Sequence, residues 1–320
     1  MSYKVLIPQD VAEVGKRYLT DRGYEIKMGS GISEDIIKEE VKDCDAILAR
    51  TAQFPAEVIE AGPKLKVIGR HGVGVDNIDF KRAEELGIWV TNAPESNAGS
   101  VAEYAIGMII SLARNFLACD RELRSGNFGI RNRLKGADLD GKTLGIIGLG
   151  RVGTQVAKKA AAGLNMKIIG FDPYMSQDRV AAEVELVDNW DYLFEEADFI
   201  SLHLPATPET RNIVGKKEFE LMKPTAYLIN AARGETVDEG ELVKALQEGK
   251  IAGAGLDVYA KEPPDNDNPL FALDNVILSP HNAALTRECM DRMALHAAMG
   301  IDEVLSGKSP TWPVNKPKKF

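Results

Sequence analysis

The sequence predicts an α/β protein with two doubly wound parallel sheets in series. Three observations predict it. Across the first hundred residues, short apolar runs alternate with amphipathic stretches, with strand candidates at 4–7, 25–28, 46–49, 66–68 and 88–90. After Gly141 the alternation starts again, at 144–147, 167–171, 199–202, 226–229, 253–256 and 276–278. Between the first two of this second set lies Gly148-Leu149-Gly150-Arg151-Val152-Gly153, placed where a strand turns into a helix. Parallel strands need crossover connections, and helical crossovers cover both faces of such a sheet.

Each part of the glycine-rich unit has a physical reason. Thr143–Ile147 is an apolar run of strand length, followed by a helix-like segment to about Leu164 and a second strand, Lys167–Phe171, that ends in Asp172. Gly148 permits a tight turn, Gly150 lets the backbone approach a pyrophosphate, and Gly153 lets the helix pack closely on its strand. The start of that helix aims its N–H groups and positive dipole end at the phosphates. Asp172 follows Gly153 by nineteen residues, where a carboxylate accepts hydrogen bonds from ribose hydroxyls and repels a 2′-phosphate. The expected cofactor is NAD rather than NADP.

A helix from about 100 to 125 is long enough to bridge the two sheets, with Ser100 as N-cap and Glu103 completing a capping box. It carries Ile106, Ile109, Ile110 and Phe116 on more than one side, which predicts burial against a second copy in a homodimer. Near the end of the chain, Met290, Met293, Ala294, Ala297, Ala298, Ile301, Val304 and Leu305 fall at helical spacing up to Gly307. No strand follows that helix, so it is expected to return to the first sheet. The first domain would then be discontinuous, 1–99 plus 286–320, a flavodoxin-like substrate-binding domain. Residues 100–285 would form an inserted NAD-binding Rossmann domain, with the ligand site in a cleft between the two. The tail, 309–320, holds three prolines and three lysines and is expected to run extended over the surface.

Bulk properties exclude several classes. The 320 residues suffice for two domains. A formal charge of −9 argues against nucleic acid or an anionic membrane as partner, so an anionic substrate must be drawn in by local arginines. Cys44, Cys119 and Cys289 are widely separated and form no CxxC pair, which suits a reducing cytosol and offers neither a disulfide framework nor a metal site. The N-terminus begins a strand almost at once and has no signal core, and the apolar stretch 105–117 is interrupted by Arg114. A cytoplasmic protein with a small-molecule partner is expected.

In open parallel sheets, ligands bind beyond the carboxyl ends of the strands. The residues following the strands of the second domain are Gly148–Gly153, Asp172, His203-Leu204-Pro205, Asn230-Ala231-Ala232-Arg233-Gly234, Asp257 with Glu262 beyond it, and Ser279-Pro280-His281-Asn282. Three of these side chains fit hydride-transfer chemistry. Arg233 offers a bidentate fork for the carboxylate of a 2-oxo or 2-hydroxy acid. His281 can give a proton to an alkoxide or take one from a hydroxyl. Glu262 can bond the other imidazole nitrogen, fix the tautomer and raise the histidine pKa. His203 is expected to line the cofactor site through its backbone, and His296, inside the last helix, to be structural.

Taken together, these residues resemble the D-isomer-specific 2-hydroxyacid dehydrogenase family. The likeness rests on GKTLGIIGLGRVG at 141–153, FDP at 171–173, NAARG at 230–234, LDVYAKEPP at 256–264 and SPHNAA at 279–284, and on GRHGVGVDNID at 69–79 and NAPESNAGSVAE at 92–103. Within the family the likeness is greatest to phosphoglycerate dehydrogenases. The resemblance implies that Arg233 binds substrate, that His281 is the acid/base and that Glu262 is its partner. It implies that Arg151 and Val152 offer backbone to the pyrophosphate and that Asp172 holds the ribose. His203, Leu204, Pro205, Ala231, Ala232, Arg233, Asp257, His281, Ala283 and Ala284 would line the rest of the cofactor site, with Asp257 near the carboxamide. The turn Gly72-Val73-Gly74 would present N–H groups to the substrate carboxylate. Two positions depart from the family's pattern: Asn282-Ala283-Ala284 stands where many members have a glycine-rich step, and Val73 where phosphoglycerate dehydrogenases often carry a polar residue. No appended serine-sensing domain is expected after the last helix.

Arg50 and Arg70 both follow strand candidates of the first domain, and two guanidinium groups can hold a substrate phosphate. That favours oxidation of D-3-phosphoglycerate to 3-phosphohydroxypyruvate in serine biosynthesis. The bland alternative pairs the arginines with Asp76, Asp79 or Glu95. A competing reaction, reduction of glyoxylate, hydroxypyruvate or another 2-oxo acid, needs Arg233, Glu262 and His281 but no phosphate site. In either case hydride moves between substrate C2 and nicotinamide C4 while His281 moves the proton, and domain closure expels water. A reading from another class, an NADH-sensing corepressor-like protein, fits the acidic charge and short tail poorly, and turnover of 2-hydroxy acids separates it from the rest.

Overall fold

The structure, a computed structural model, describes residues 2–318. The chain forms two compact units, one from residues up to Asn97 together with those from Leu285 onward, the other from Ala98–Ala284. Both are α/β units on wholly parallel sheets, as the alternation predicts.

The first unit alternates β1 (Lys4–Ile7), α1 (Glu13–Thr20), β2 (Glu25–Met28), α2 (Glu34–Val41), β3 (Ala46–Ala49), α3 (Ala56–Glu60), β4 (Val67–Arg70), α4 (Phe80–Glu85) and β5 (Trp89–Thr91). Its sheet order is β2-β1-β3-β4-β5, the flavodoxin-like order. The period-2 geometry of a strand divides β1 between two cores. Leu6 packs with Ile37, Val58 and Ala83 of α2–α4. Val5 and Ile7 pack on the other face, with Leu19 of α1 and with Ala294, Ala297, Ala298 and Ile301 of the last helix. That helix, Arg287–Leu305, is capped by the Thr286 hydroxyl, which accepts from the Cys289 N–H. It lies against β4 so closely that a Cβ at Gly69 would stand 2.7 Å from the Ala297 carbonyl oxygen.

The tail runs along the surface, as expected, and there it pairs with the edge of the sheet through an antiparallel bridge between Thr91 and Pro313. Asn315 is buried, accepting from Val90 N–H at 2.8 Å and donating to Ile88 carbonyl at 3.0 Å. The edge strand β5 otherwise leaves unpaired backbone groups, and the tail satisfies them. Lys319 and Phe320, the last two residues of the expected tail, lie outside the described residues.

The second unit runs α5 (Ala98–Ala113), α6 (Phe116–Arg124), β6 (Thr143–Ile147), α7 (Arg151–Leu164), β7 (Lys167–Phe171), β8 (Val184–Leu186), α8 (Trp190–Glu196), β9 (Phe199–Leu202), α9 (Lys216–Leu221), β10 (Tyr227–Asn230), α10 (Glu239–Gln247), β11 (Gly253–Leu256) and β12 (Val276–Leu278). The helix at the chain's end is therefore α11. The seven strands are ordered β12-β11-β10-β9-β6-β7-β8. One face carries Leu193, Phe194, Phe219 and Leu242 of α8–α10. The other carries Ala105, Met108 and Ile109 of α5 with Val156 and Ala157 of α7.

Three expectations are corrected here. The helix expected over 100–125 is two helices, bent by 60°, and Asn115 breaks it with a left-handed φ of 54°. Helix α5 begins at Ala98, so Ser100 is buried inside its first turn rather than preceding it as an N-cap. The expected exposure of Ile109 is also wrong, because α5 is sandwiched in a core and Ile109 is fully buried. The exposed apolar residues lie beyond it. No residue of α6 is buried, and Phe116, Leu117, Leu123 and Phe128 are each more than half exposed. The edge strand β8 escaped the sequence reading because only Val184 of its three residues is buried. Among the described residues no single helix is long and apolar enough to cross a membrane.

The contact of α11 with β4 predicts the effect of one substitution. Gly69→Val overpacks it and should lower unfolding stability by about 1–3 kcal/mol, read from urea titration. An unchanged midpoint would mean that the helix does not sit this close to the strand.

Candidate active site

The glycine turn separates protein packing from open space. Gly148 has φ +91°, and a Cβ there would stand 2.7 Å from the His203 carbonyl oxygen. A Cβ at Gly153 would overlap the Gly148 carbonyl. At Gly150 nothing lies within 4 Å. The first and third glycines thus serve the fold, and the second leaves clear the place where a pyrophosphate must approach. Gly150 is also the N-cap of the 14-residue helix α7, so the N–H groups of Arg151 and Val152 begin a helix whose cap has no side chain. The Asp172 carboxylate accepts from Leu149 N–H at 2.9 Å and Tyr174 N–H at 3.0 Å. This holds it over the turn, and carboxylate oxygens have further lone pairs for ribose hydroxyls. These features fit a dinucleotide.

His203 follows β9. Its Nε2 lies 3.0 Å from the Ser201 hydroxyl, while Nδ1 is buried without a partner. Burial pushes its pKa down to about 4, so the ring is neutral and suited to packing rather than to proton transfer. Its carbonyl faces Gly148, and Leu204 packs 3.3 Å from the same point. The Pro205 carbonyl accepts from the Thr210 hydroxyl.

The loop after β10 is held from inside. The buried Asn230 amide donates to the Arg233 carbonyl at 2.9 Å and accepts from Ala232 N–H at 3.0 Å, while the Thr236 hydroxyl donates to the Arg233 carbonyl at 2.7 Å. Ala231 and Ala232 are thereby set in one turn, and Arg233 Nη1 donates to the Ala232 carbonyl at 2.8 Å. Gly234 is required because a Cβ there would overlap the Tyr259 main chain.

Asp257, at the end of β11, is 1% exposed. Its carboxylate accepts from the Ser279 hydroxyl at 2.6 Å, Asn282 N–H at 2.9 Å and Ala283 N–H at 2.9 Å. Its carbonyl accepts from His281 N–H at 2.8 Å. It therefore anchors the turn after β12, a role that no sequence motif signals. Ala284 closes the same turn. His281 sits there with φ +50°, a left-handed conformation that costs about 1–3 kcal/mol for a non-glycine residue and that the Asp257 bonds stabilise. Its Nδ1 is 2.7 Å from Glu262 Oε2. Glu262 Oε1 accepts from Tyr259 N–H at 3.1 Å, and the Tyr259 hydroxyl donates to the Ser279 carbonyl at 3.1 Å. A carboxylate only accepts, so Nδ1 carries the hydrogen and Nε2 is left for chemistry.

The charges of this pair reinforce each other. The Glu262 hydrogen bond raises the His281 pKa above its ordinary value, against an opposing effect of burial. Burial pushes the Glu262 carboxyl up, but its hydrogen bond and attraction to His281 outweigh that, and the net displacement is downward. The Arg233 charge lowers both. About half of the His281 side chain, 51%, meets solvent, so this histidine is more accessible than His203, which is only partly exposed. His296 stacks on Trp312 at 4.4 Å.

In the first unit, Arg50 directly follows β3 and Arg70 ends β4, with Ala49 in register with Arg70. Arg50 Nη1 donates to the Asp10 carbonyl at 3.2 Å, and Arg70 Nη1 to the His71 carbonyl. Asp79, one of the alternative partners, caps α4 by accepting from Arg82 N–H. In the turn Gly72-Val73-Gly74, Gly72 has φ +143° and the Val73 carbonyl accepts from Asn92 at 2.8 Å. His71 is buried, which pushes its pKa down to about 4, aided by the Arg50 and Arg70 charges.

An all-parallel sheet with a glycine turn and acid–base groups on its carboxyl rim defines a dinucleotide-dependent class of protein. Residues 106–283 match the family described as "D-isomer specific 2-hydroxyacid dehydrogenase, NAD binding domain". A D-3-phosphoglycerate dehydrogenase of Methanocaldococcus jannaschii is 45% identical over 98% of this chain, which spans 60% of that relative's length. A glyoxylate reductase of Korarchaeum cryptofilum is 39% identical over 99% of this chain and 97% of its own. The solved structure of the TT0316 protein from Thermus thermophilus superposes with a TM-score of 0.90 at 33% identity, over 98% of this chain and 100% of that one. The chain belongs to the D-isomer-specific 2-hydroxyacid dehydrogenase family and carries its NAD-binding domain.

The Glu262 bond predicts how His281 titrates. In Glu262→Gln the imidazole should lose the stabilisation of its charged form, and its pKa should fall towards the ordinary 6.5. NMR titration of the labelled imidazole checks this, and a pKa unchanged from wild type would remove Glu262 from the role.

Proposed function

We propose that this protein is an NAD-dependent D-2-hydroxyacid dehydrogenase that oxidises D-3-phosphoglycerate to 3-phosphohydroxypyruvate, the reaction that opens serine biosynthesis. The Glu262–His281 pair beside Arg233 carries the reading, because a histidine with a raised pKa and one accessible nitrogen suits proton transfer at a hydroxyl or carbonyl. When bound, the nicotinamide supplies the hydride acceptor or donor at C4. Arg233 binds the substrate carboxylate through its planar fork. In oxidation, neutral His281 takes the hydroxyl proton at Nε2 while Glu262 stabilises the resulting imidazolium. In reduction, protonated His281 returns that proton. Because the pKa is raised, the protonated form persists to higher pH, so reduction holds its rate further into the alkaline range and oxidation gains as pH rises through the pKa.

Arg50 and Arg70 support the phosphorylated substrate, since two guanidinium groups end neighbouring strands of the first unit. The 45% identity to a D-3-phosphoglycerate dehydrogenase supports it as well. The second reading is a glyoxylate or hydroxypyruvate reductase. Val73 in the glycine turn and the near full-length glyoxylate reductase relative favour it.

Steady-state rates discriminate the two: NADH formation with D-3-phosphoglycerate, beside NADH consumption with hydroxypyruvate and glyoxylate, for wild type and Arg50→Ala. The expected outcome is a wild-type preference for the phosphorylated acid that falls at least about tenfold in the mutant, the loss of one charge-assisted contact. Faster turnover of the unphosphorylated acids, indifferent to the mutation, would sink the Arg50 assignment. No turnover of any 2-hydroxy acid would sink the enzyme reading.

We also propose a homodimer through α6, whose exposed Phe116, Leu117 and Leu123 form an apolar surface with Phe128. Sedimentation equilibrium should give twice the 34.9 kDa chain mass, and Leu117→Glu with Leu123→Glu should return the monomer. A monomeric wild type would end this proposal.

A further inference from the structure

Glu262 sits in a polar, largely exposed loop, Lys-Glu-Pro-Pro-Asp-Asn-Asp-Asn-Pro, that runs from the buried Tyr259 to the buried Leu270. Such a loop has little apolar surface to hold it, yet Glu262 must stay 2.7 Å from His281. Two of its own bonds are internal: Lys261 with Asp265, and Asn268 N–H with the Asp265 carbonyl. Glu262 also accepts from the N–H of the buried Tyr259, which ties down one end of the loop only.

One side chain from outside the loop meets it at both ends. Glu239 Oε2 accepts from Ala260 N–H at 3.1 Å, two residues before Glu262. Glu239 Oε1 accepts from the Asn268 side-chain amide at 2.7 Å, six residues after it. Asn268 in turn caps the short 3₁₀ helix Pro269–Ala272 by accepting from Leu270 N–H. Glu239 itself is rigidly mounted. It is the first residue of α10, whose N-cap Asp238 accepts from Glu241 N–H, and a carboxylate is favoured in a first turn. A charged acceptor makes both bonds stronger than neutral ones.

We propose that Glu239 is a positioning residue: it clamps both ends of the loop from α10 and so holds Glu262 in register with His281. It touches no reacting atom. Its importance for turnover rests on the function proposed above, but its effect on His281 does not.

The test is an NMR titration of ¹³C-labelled histidine in the full chain, with the His281 signal assigned by His281→Asn. In Glu239→Ala the loop should loosen, and the His281 pKa should fall by about half a unit or more towards the ordinary 6.5. The alkaline limb of the reduction rate should move down with it, while KM for NADH stays within about twofold. In a Glu262→Gln background, Glu239→Ala should cause no further shift, because the brace acts only through Glu262. If Glu239→Ala does not fold, Asn268→Ala removes one of the two anchors and leaves α10 intact, and it should shift His281 in the same direction by a smaller amount. A folded variant with an unchanged His281 pKa overturns the proposal, as does an equal shift in the Glu262→Gln background. A shifted pKa in a protein that turns over no 2-hydroxy acid would leave the brace standing and sink the enzyme reading instead.

Discussion

The carboxylate of Asp257 is the interaction on which the candidate site depends. A buried charge is costly unless hydrogen bonds replace water, and Asp257 receives three, all from the turn after the neighbouring strand. The requirement runs both ways. The turn must come to Asp257 to satisfy its charge, and in doing so it places His281 in a left-handed backbone conformation that few side chains would adopt unaided. The ends of β11 and β12 are thus locked together, and the placement of His281 follows from the bonds of one buried carboxylate.

Two histidines on the same rim show how surroundings divide a single side-chain type. His203 has a hydroxyl beside it and no carboxylate, and burial alone decides its state, so it remains neutral well below physiological pH. His281 has a carboxylate at 2.7 Å and an accessible edge, and its charged form is favoured. Without Glu262 the burial of His281 would act in the same direction as that of His203. The difference in chemistry is therefore carried by a loop residue whose own placement needs support from elsewhere, which is why the loop's anchors matter more than its exposed sequence suggests.

The fold was legible because its signal is redundant. Most of the parallel strands repeat a short apolar run, and β1, β2, β3, β7, β9, β11 and β12 fall where the alternation puts them. Most of the failures share a cause, a dependence on a tertiary neighbour, and one is local. Ile109 looked like part of an exposed surface because a helix sandwiched in a core is apolar all round, which a sequence cannot distinguish from one facing a second copy. The break at Asn115 turns on one residue's tolerance of positive φ. The bridge of the tail to β5 becomes visible only when the open sheet edge is. In the site, the Glu262–His281 contact was legible from residue chemistry at strand ends, whereas the anchoring work of Asn230, Thr236, Asp257, Tyr259 and Glu239 was not. Polar residues that serve the backbone carry no motif of their own, and their signal in the sequence is only a hydrogen-bonding side chain at the end of an apolar run.

The three glycines of the turn after β6 show how closely fold and ligand requirements are interleaved. At Gly148 and Gly153 a side chain would strike the protein's own main chain, so those positions would be glycine in any chain that folds this way. At Gly150 a side chain would strike nothing in the protein, and its φ of −68° suits any residue. Neither packing nor backbone strain accounts for a glycine there, and placing one at a helix N-cap gives up the bond a serine or aspartate would make. What remains is the space itself, directly before the free N–H groups of α7 and beside the Asp172 carboxylate. The glycine that the fold does not need is the one that a bound dinucleotide does.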